Sequence, residues 1–270
     1  MKKFTLVEIL VVIAVIGILA SLILPAVTGA NQQTMRLKAK ADVSNIMSAI
    51  VKYESTYGKL PILMDGTKPN SKYFEDGDEP KKGRLTKEGY YALIQALSGV
   101  DLLDDSKDVV ELGDDYINIS DATGNTSDWA KGARAMNPRK TPFLDVPSDF
   151  PKNGFVDPWD NEYVIVLDYE VGAGSSDKYG DTDTLISAYD KIIEHPALEA
   201  TFDGKNITCA SKSGMLEVTE EGTKVETQIP AQVRANILVY SMGPDGVDDG
   251  GLDVTVTNSF DDINSWSELQ

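Results

Sequence analysis

From Phe4 to Val27 the sequence is almost wholly apolar, with Glu8 its only charge. A run of that length exceeds the ~20 residues that cross a bilayer as a helix. A carboxylate inside it costs about 2.5–3.5 kcal/mol on insertion scales. Glu8 therefore either snorkels to the interface or meets a positive group from a neighbouring chain. Lys2 and Lys3 precede the run, so a secretory signal peptide cleaved after Thr28-Gly29-Ala30 is the competing reading. Against it stand the length of the run, the presence of Glu8, and a helical pattern that continues past the supposed cleavage site.

In that continuation Val43, Ile46, Met47, Ile50, Tyr53 and Tyr57 recur at three and four residues, an apolar stripe along one face of a helix. Gly58 and Pro61 supply stop signals. The expectation is one helix over Phe4–Tyr57, about 80 Å long at ~1.5 Å per residue. Its first half suits lipid and its second half a globular domain. Pro25 is expected to loosen or kink the membrane half.

The remainder is strongly acidic. Setting aside five basic residues and one acidic residue in 1–40 leaves 20 basic and 42 acidic residues in 41–270, a balance of −22. Such a surface repels phosphate backbones, which argues against nucleic acid as a partner. It suits solvation, a cationic partner or a divalent metal. One cysteine, Cys209, allows no intrachain disulfide. With His195 the only histidine, a zinc site of three or four Cys/His ligands is also excluded. No Ser/His/Asp or phosphate-loop pattern appears, so the chain is not read as an enzyme.

Tyr90–Leu97 reads as a short helix ended by Gly99. Residues 58–85 read as loop, and 101–137 as mixed and acidic. Glu162–Asp168 and Ile237–Ser241 are the clearest strands, short and rich in β-branched residues. Asn206–Cys209, Met215–Val218 and Lys224–Gln228 are weaker ones. The economical architecture is α+β: the long N-terminal helix packed on a small antiparallel sheet, each with one face to bury.

Phe4-Thr5-Leu6-Val7-Glu8, the apolar run behind it and Pro25 resemble the processing motif of type IV pilins and pseudopilins. The resemblance implies a leader of residues 1–3, a membrane and amphipathic helix over 4–57, and a pilin-like globular domain over 58–270. It implies cleavage by a prepilin peptidase between Lys3 and Phe4, followed by N-terminal methylation. Glu8 then pairs with the Phe4 amine of an adjoining subunit. The family has Gly before the cut where this chain has Lys3. Asp157-Pro158-Trp159-Asp160-Asn161-Glu162-Tyr163 is similar to a segment of the major pseudopilins of type II secretion systems, with Asp160 in place of Gly. In physical terms Asp157-Pro158 sets a turn, and Trp159 offers a large anchor to the core. Residues 169–235 read as an insertion.

Asp245, Asp248, Asp249, Asp253, Asp261 and Asp262 crowd the C-terminal region among glycines and turn formers. Calcium takes six to eight oxygens at adjustable distances, which such a loop can supply. The order does not fit an EF-hand, because Val247 falls at the third position counted from Asp245. On residues alone, a solvated acidic turn and a metal loop remain equal readings. Tyr240–Gly246 with the loop behind it resembles the pseudopilins' C-terminal calcium loop. That implies ligation by Asp245, Asp261 and Asp262 and by the main-chain carbonyls of Met242 and Val247, with the roles of Asp248 and Asp249 open.

The expected function is thus a structural subunit of a periplasmic pseudopilus that drives type II protein secretion. The resemblance implies self-association into a filament, and contacts with other pseudopilins and with an inner-membrane secretion platform. It places the chain as a single-pass inner-membrane protein with its C-terminal domain in the periplasm. A type IV pilus subunit and a membrane-tethered extracytoplasmic binding module are the alternatives.

Overall fold

The apolar stripe read at three- and four-residue spacing marks the inner edge of α1 (Leu6–Tyr57). Val43, Ile46, Ile50 and Tyr53 are buried on it, each 0–1% exposed. Full burial of such a side chain contributes roughly 1.5–3 kcal/mol, so these four alone commit the C-terminal half of α1 to the globular body. The N-terminal half has no such partner: Leu6, Val7, Ile9, Leu10 and Ile13 are more than half exposed. The helix continues through Pro25 without interruption. Among the described residues, no helix is long and apolar enough to cross a membrane. The apolar run of the sequence extends at both ends past the residues whose side chains are described.

The computed structural model describes residues 6–62, 64–65, 68–69, 73–74, 84–100, 109–112, 115–118, 128–148, 150, 154–167, 193–194, 196–198, 207–220, 222–233, 235, 237–252 and 261–266. For some of these, 22–28 among them, only the backbone is described. Lys3, Phe4, His195 and Asp253, and most of the acidic stretch 101–127, lie outside this set.

After α1 come two short antiparallel pairs: β1 (Met64–Asp65) with β2 (Lys68–Pro69), and, beyond α2, β3 (Val109–Leu112) with β4 (Asp115–Asn118). The helix α2 (Lys87–Ser98) is longer than the sequence pattern suggests. Thr86 caps its start by accepting from the Gly89 N–H at 3.3 Å. Gly99 ends it in the left-handed region, its N–H bonded to the Gln95 carbonyl. The helix α3 (Asp128–Met136) falls where the sequence reads as irregular. It is short, Ala133 and Met136 are buried on it among the side chains described, and Asn137-Pro138 ends it. An apolar signal that small does not stand out against an acidic background.

The sheet at the centre runs β12 (Ile263–Asn264), β11 (Ile237–Ser241), β5 (Val164–Leu167), all antiparallel. Every residue of β5 and β11 is buried. The strand period of two divides them. Ile165, Leu167, Ile237 and Val239 join α1 and α2 in the main core. Val164, Val166, Leu238 and Tyr240 form a second core with Trp266, flanked by Val233, Ala235 and Met242. The sheet therefore buries both faces, where one was expected. Trp266, 2% exposed, is the anchor, while Trp159 is only half-buried.

Within 169–235, β6 (Ile193–Glu194) pairs with β10 (Gln232–Val233). Between them, a 3-10 turn over Pro196–Leu198 leads toward a meander of β7 (Ile207–Lys212), β8 (Met215–Glu220) and β9 (Thr223–Pro230). Ser213-Gly214, both at positive φ, close the first hairpin. Ala197, Ile207, Leu216, Val218 and Ala231 make a small separate core that also takes in Leu252 of the C-terminal loop.

Candidate metal centre

The acidic loop starts where β11 ends, and a turn just before β5, the strand paired with β11, fixes its first step. Asp157 is 2% exposed. Its Oδ1 accepts the N–H groups of Trp159 and Asn161, both at 2.9 Å, which holds 157–161 as a turn. Its Oδ2 accepts the Ser241 hydroxyl at 2.6 Å, and Ser241 Oγ in turn accepts the Gly243 N–H at 3.1 Å. Burial holds the Asp157 carboxyl above the usual carboxylate range, against the pull of these hydrogen bonds. The Asp-Pro-Trp turn and the terminal loop, noticed separately in the sequence, are thus one hydrogen-bonded unit. Gly243 has φ +70, and a Cβ there would lie 2.5 Å from the Asp261 carbonyl oxygen. Only glycine allows the two ends of the loop to close this tightly.

Inside the loop the aspartates divide by what holds them. Asp248 Oδ1 accepts the Tyr240 hydroxyl at 2.9 Å and the Gly250 N–H at 2.8 Å, and its Oδ2 pairs with Arg84. Asp262 Oδ2 accepts the N–H groups of Asp249 at 3.1 Å and Gly251 at 2.7 Å. Asn264 Nδ2 donates to the Gly251 carbonyl at 2.6 Å. Asp248 and Asp262 therefore shape the backbone.

Asp245, Asp249 and Asp261 converge: each offers an oxygen, and these oxygens lie within 4.8 Å of one another. Asp249 is fully buried, Asp261 half-buried and Asp245 exposed, so the group opens to solvent on one side. Asp245 Oδ1 also accepts the Val247 N–H at 2.9 Å, which folds the chain at that corner. Asp249, whose role the sequence leaves open, thereby joins two residues of the implied ligand set. The third, Asp262, has its Oδ2 committed to the backbone, and its buried Oδ1 accepts no hydrogen bond among the described residues. The side chain of Met242 packs against the outer core of the sheet.

The electrostatics fit a cation. Among the described residues, Arg84 pairs with Asp248, and Arg36 of α1 lies 4.0 Å from Asp261. Burial raises the Asp262 carboxyl to about 9; the Gly251 N–H opposes this, and the charges of Asp248, Asp249 and Asp261 add to it. Carboxylates held this close repel one another, and burial of charge without compensation is costly. An oxygen-only donor set with no His or Cys suits a hard divalent cation such as calcium.

Glu8 stands in the first turn of α1, exposed and far along the chain from this loop.

The chain is 38% identical over 67 residues to "Type II secretion system core protein G" of Pectobacterium carotovorum subsp. carotovorum, covering 25% of this chain and 43% of that protein. It is 36% identical over 74 residues to the protein of the same name in Klebsiella michiganensis, covering 26% and 52%. With the Escherichia coli K12 protein of that name it shares 32% over 95 residues, covering 35% and 64%. The chain thus spans about half the length of the curated relatives it matches. No family model matches it, and no solved structure does.

Proposed function

We propose that this chain, pseudopilin-like in its sequence, is a structural subunit of a periplasmic pseudopilus serving type II protein secretion. The similarity to type II secretion system core protein G carries the reading. The apolar side chains of Leu6–Leu19 support it, because an exposed apolar surface with Glu8 as its single charge needs lipid or neighbouring helices to cover it. On this reading residues 1–3 are a leader, residues 4–57 the anchoring and assembling helix, and 58–270 a periplasmic domain of pilin-like fold. The prepilin peptidase cuts between Lys3 and Phe4. Glu8 meets the freed Phe4 amine of the next subunit, which removes the cost of a lone carboxylate in lipid. Other pseudopilins and the inner-membrane secretion platform are its partners, and the role asks no reaction chemistry of this chain.

Calcium is the proposed structural ion of the C-terminal loop. Asp245, Asp249 and Asp261 supply side-chain oxygens, the Met242 and Val247 carbonyls add main-chain ligands, and Asp262 holds the loop in shape. The ion would offset the mutual repulsion of the carboxylates.

Crosslinking in native membranes tests the assembly. Cysteine pairs in the exposed half of α1 should give ladders of multimers, and Glu8→Leu should shorten them. A monomer band alone would refute filament formation. Mass spectrometry of the mature chain should find Phe4 at the N-terminus, methylated; an intact Met1 would overturn the processing step. For the ion, the detergent-solubilised full chain should melt higher in calcium than in chelator, and equal curves would remove calcium from the reading.

A further inference from the structure

The insertion and the acidic loop are joined in a way that the secretion role does not require. Leu252 is 1% exposed and sits in the small core made by Ala197, Ile207, Leu216, Val218 and Ala231. Three residues before it stands Asp249, and the Leu252 N–H points back to the Asp249 carbonyl at 3.4 Å. Between them Gly250 has φ +68, and a Cβ there would lie 2.4 Å from both N and Cα of Ala197 and 2.8 Å from the carbonyl carbon of Pro196. The backbone of the loop therefore lies directly on the 3-10 turn that leads toward the meander. Cys209 of β7 reports the same closeness: burial first, and then the charge of Asp249, push its thiol up to about 12. The opposite face of the meander is polar, with Glu217 held between Lys212 and Lys224 at 2.7 Å each.

We infer that the β7–β9 meander is a clamp on the acidic loop, so that cation binding by Asp245, Asp249 and Asp261 and docking of the meander through Leu252 are one linked equilibrium. The inference rests on the cation reading of the loop. Ordering a glycine-rich segment costs about 1–2 kcal/mol per residue. A meander already seated on Leu252 and Gly250 removes part of that cost before the ion arrives. By reciprocity, the ion then favours the seated meander by the same factor. The outward face of the insertion, carrying Lys212, Glu217 and Lys224, is in this way held in fixed orientation for a larger fraction of the time when the loop is filled. The insertion is thereby a calcium-linked surface on the outside of the proposed subunit.

Hydrogen exchange of the full chain in detergent, with calcium and with chelator, tests this. Calcium should slow exchange in 242–252 and also in 207–220, while β5 changes little. Leu252→Ala, which leaves every carboxylate in place, should weaken calcium binding about tenfold, within the usual range of coupling between sites. Leu216→Ala perturbs the same core from the meander side and should have the same effect, so a folding defect in one variant leaves the other decisive. Calcium protection of 242–252 with no change in 207–220 would overturn the clamp and leave the cation site standing. Unchanged calcium affinity in both variants would also overturn it. Absence of calcium protection in both segments would remove the cation reading and the linkage together.

Discussion

Asn137 uses all of its hydrogen-bonding capacity at the junction of the three helices. Its Nδ2 donates to the Ala96 carbonyl of α2 at 2.7 Å and to the Thr141 carbonyl at 2.8 Å. Its Oδ1 accepts the Tyr57 hydroxyl of α1 at 2.8 Å and the Thr141 N–H at 3.0 Å. It follows α3 directly and is 4% exposed. Each such bond contributes about 1 kcal/mol net, and a buried partner left unsatisfied costs about 1–3 kcal/mol. The Thr141 groups lie near the surface and regain water, whereas the Ala96 carbonyl does not. Asn137→Ala should therefore destabilise by about 2–4 kcal/mol, or roughly 5–12 °C in Tm for a chain of this size. Asn137→Asp should be worse at pH 7, because it turns a carboxylate oxygen toward two carbonyls. Its folded-state pKa must then lie above the unfolded value of about 3.9. The sign follows: the Asp variant gains stability as pH falls through its folded pKa, and the gain is complete below the unfolded one. Thermal melts of the three proteins at pH 7 and pH 4.5 measure both effects. A loss under about 1 kcal/mol for Asn137→Ala, or a gap between Asp and Asn that widens on acidification, would refute the account.

Asp157, held above the carboxylate range by burial, should show the same sign in the native protein. The stability of the wild type relative to Asp157→Asn rises as pH falls from neutral toward 4, and a pH-independent difference in melts would contradict it. Glu217, lowered by its hydrogen bonds to Lys212 and Lys224, lies on an exposed face, where such pairs contribute little. Glu217→Gln should leave Tm unchanged at physiological salt, and a fall of several degrees would mean the triad does more than decorate the meander. Asp249→Asn should raise Tm in chelator, by relieving repulsion among buried like charges, and should abolish the calcium response. Asp262→Ala should lower Tm with or without calcium, because two loop N–H groups lose their acceptor.

Much of the frame was legible from periodicity. The stripe Val43–Tyr57, the run Ile237–Ser241 and the stop at Gly99 each state a local rule that the fold obeys. What periodicity misses is the consequence of the insertion. β5 and β11 read as strands, but nothing local says that Trp266, Val233 and Ala235 cover their second face. Trp159 is the conspicuous residue of its turn, yet the residue that organises that turn is Asp157, by five hydrogen bonds that no apolar pattern signals. In the loop, the density of aspartates alone leaves a solvated turn and a metal loop equally open. Which of them converge depends on the backbone donors that Asp248 and Asp262 capture, and those donors are brought in by folding.

The position of the loop makes its electrostatics matter beyond itself. Ser265 is tied to β11, its N–H donating to the Val239 carbonyl at 2.9 Å and its Oγ accepting the Val239 N–H at 3.1 Å. α1 packs on both β11 and β12, and Tyr163, beside β5, donates its hydroxyl to Asp42 of α1 at 3.0 Å. Arg36 lies a turn and a half before Asp42 on the same helix and approaches Asp261. A guanidinium of α1 thus stands 4.0 Å from the Asp261 carboxylate. An ion at the loop would neutralise Asp261 from within, so Arg36 would no longer be drawn to the loop. A filament whose subunits meet along α1 would then have that cation available to a neighbour's carboxylate. Comparing Arg36→Gln with wild type in the crosslinking ladders, in calcium and in chelator, separates the two states: the substitution should shorten ladders only when calcium is present.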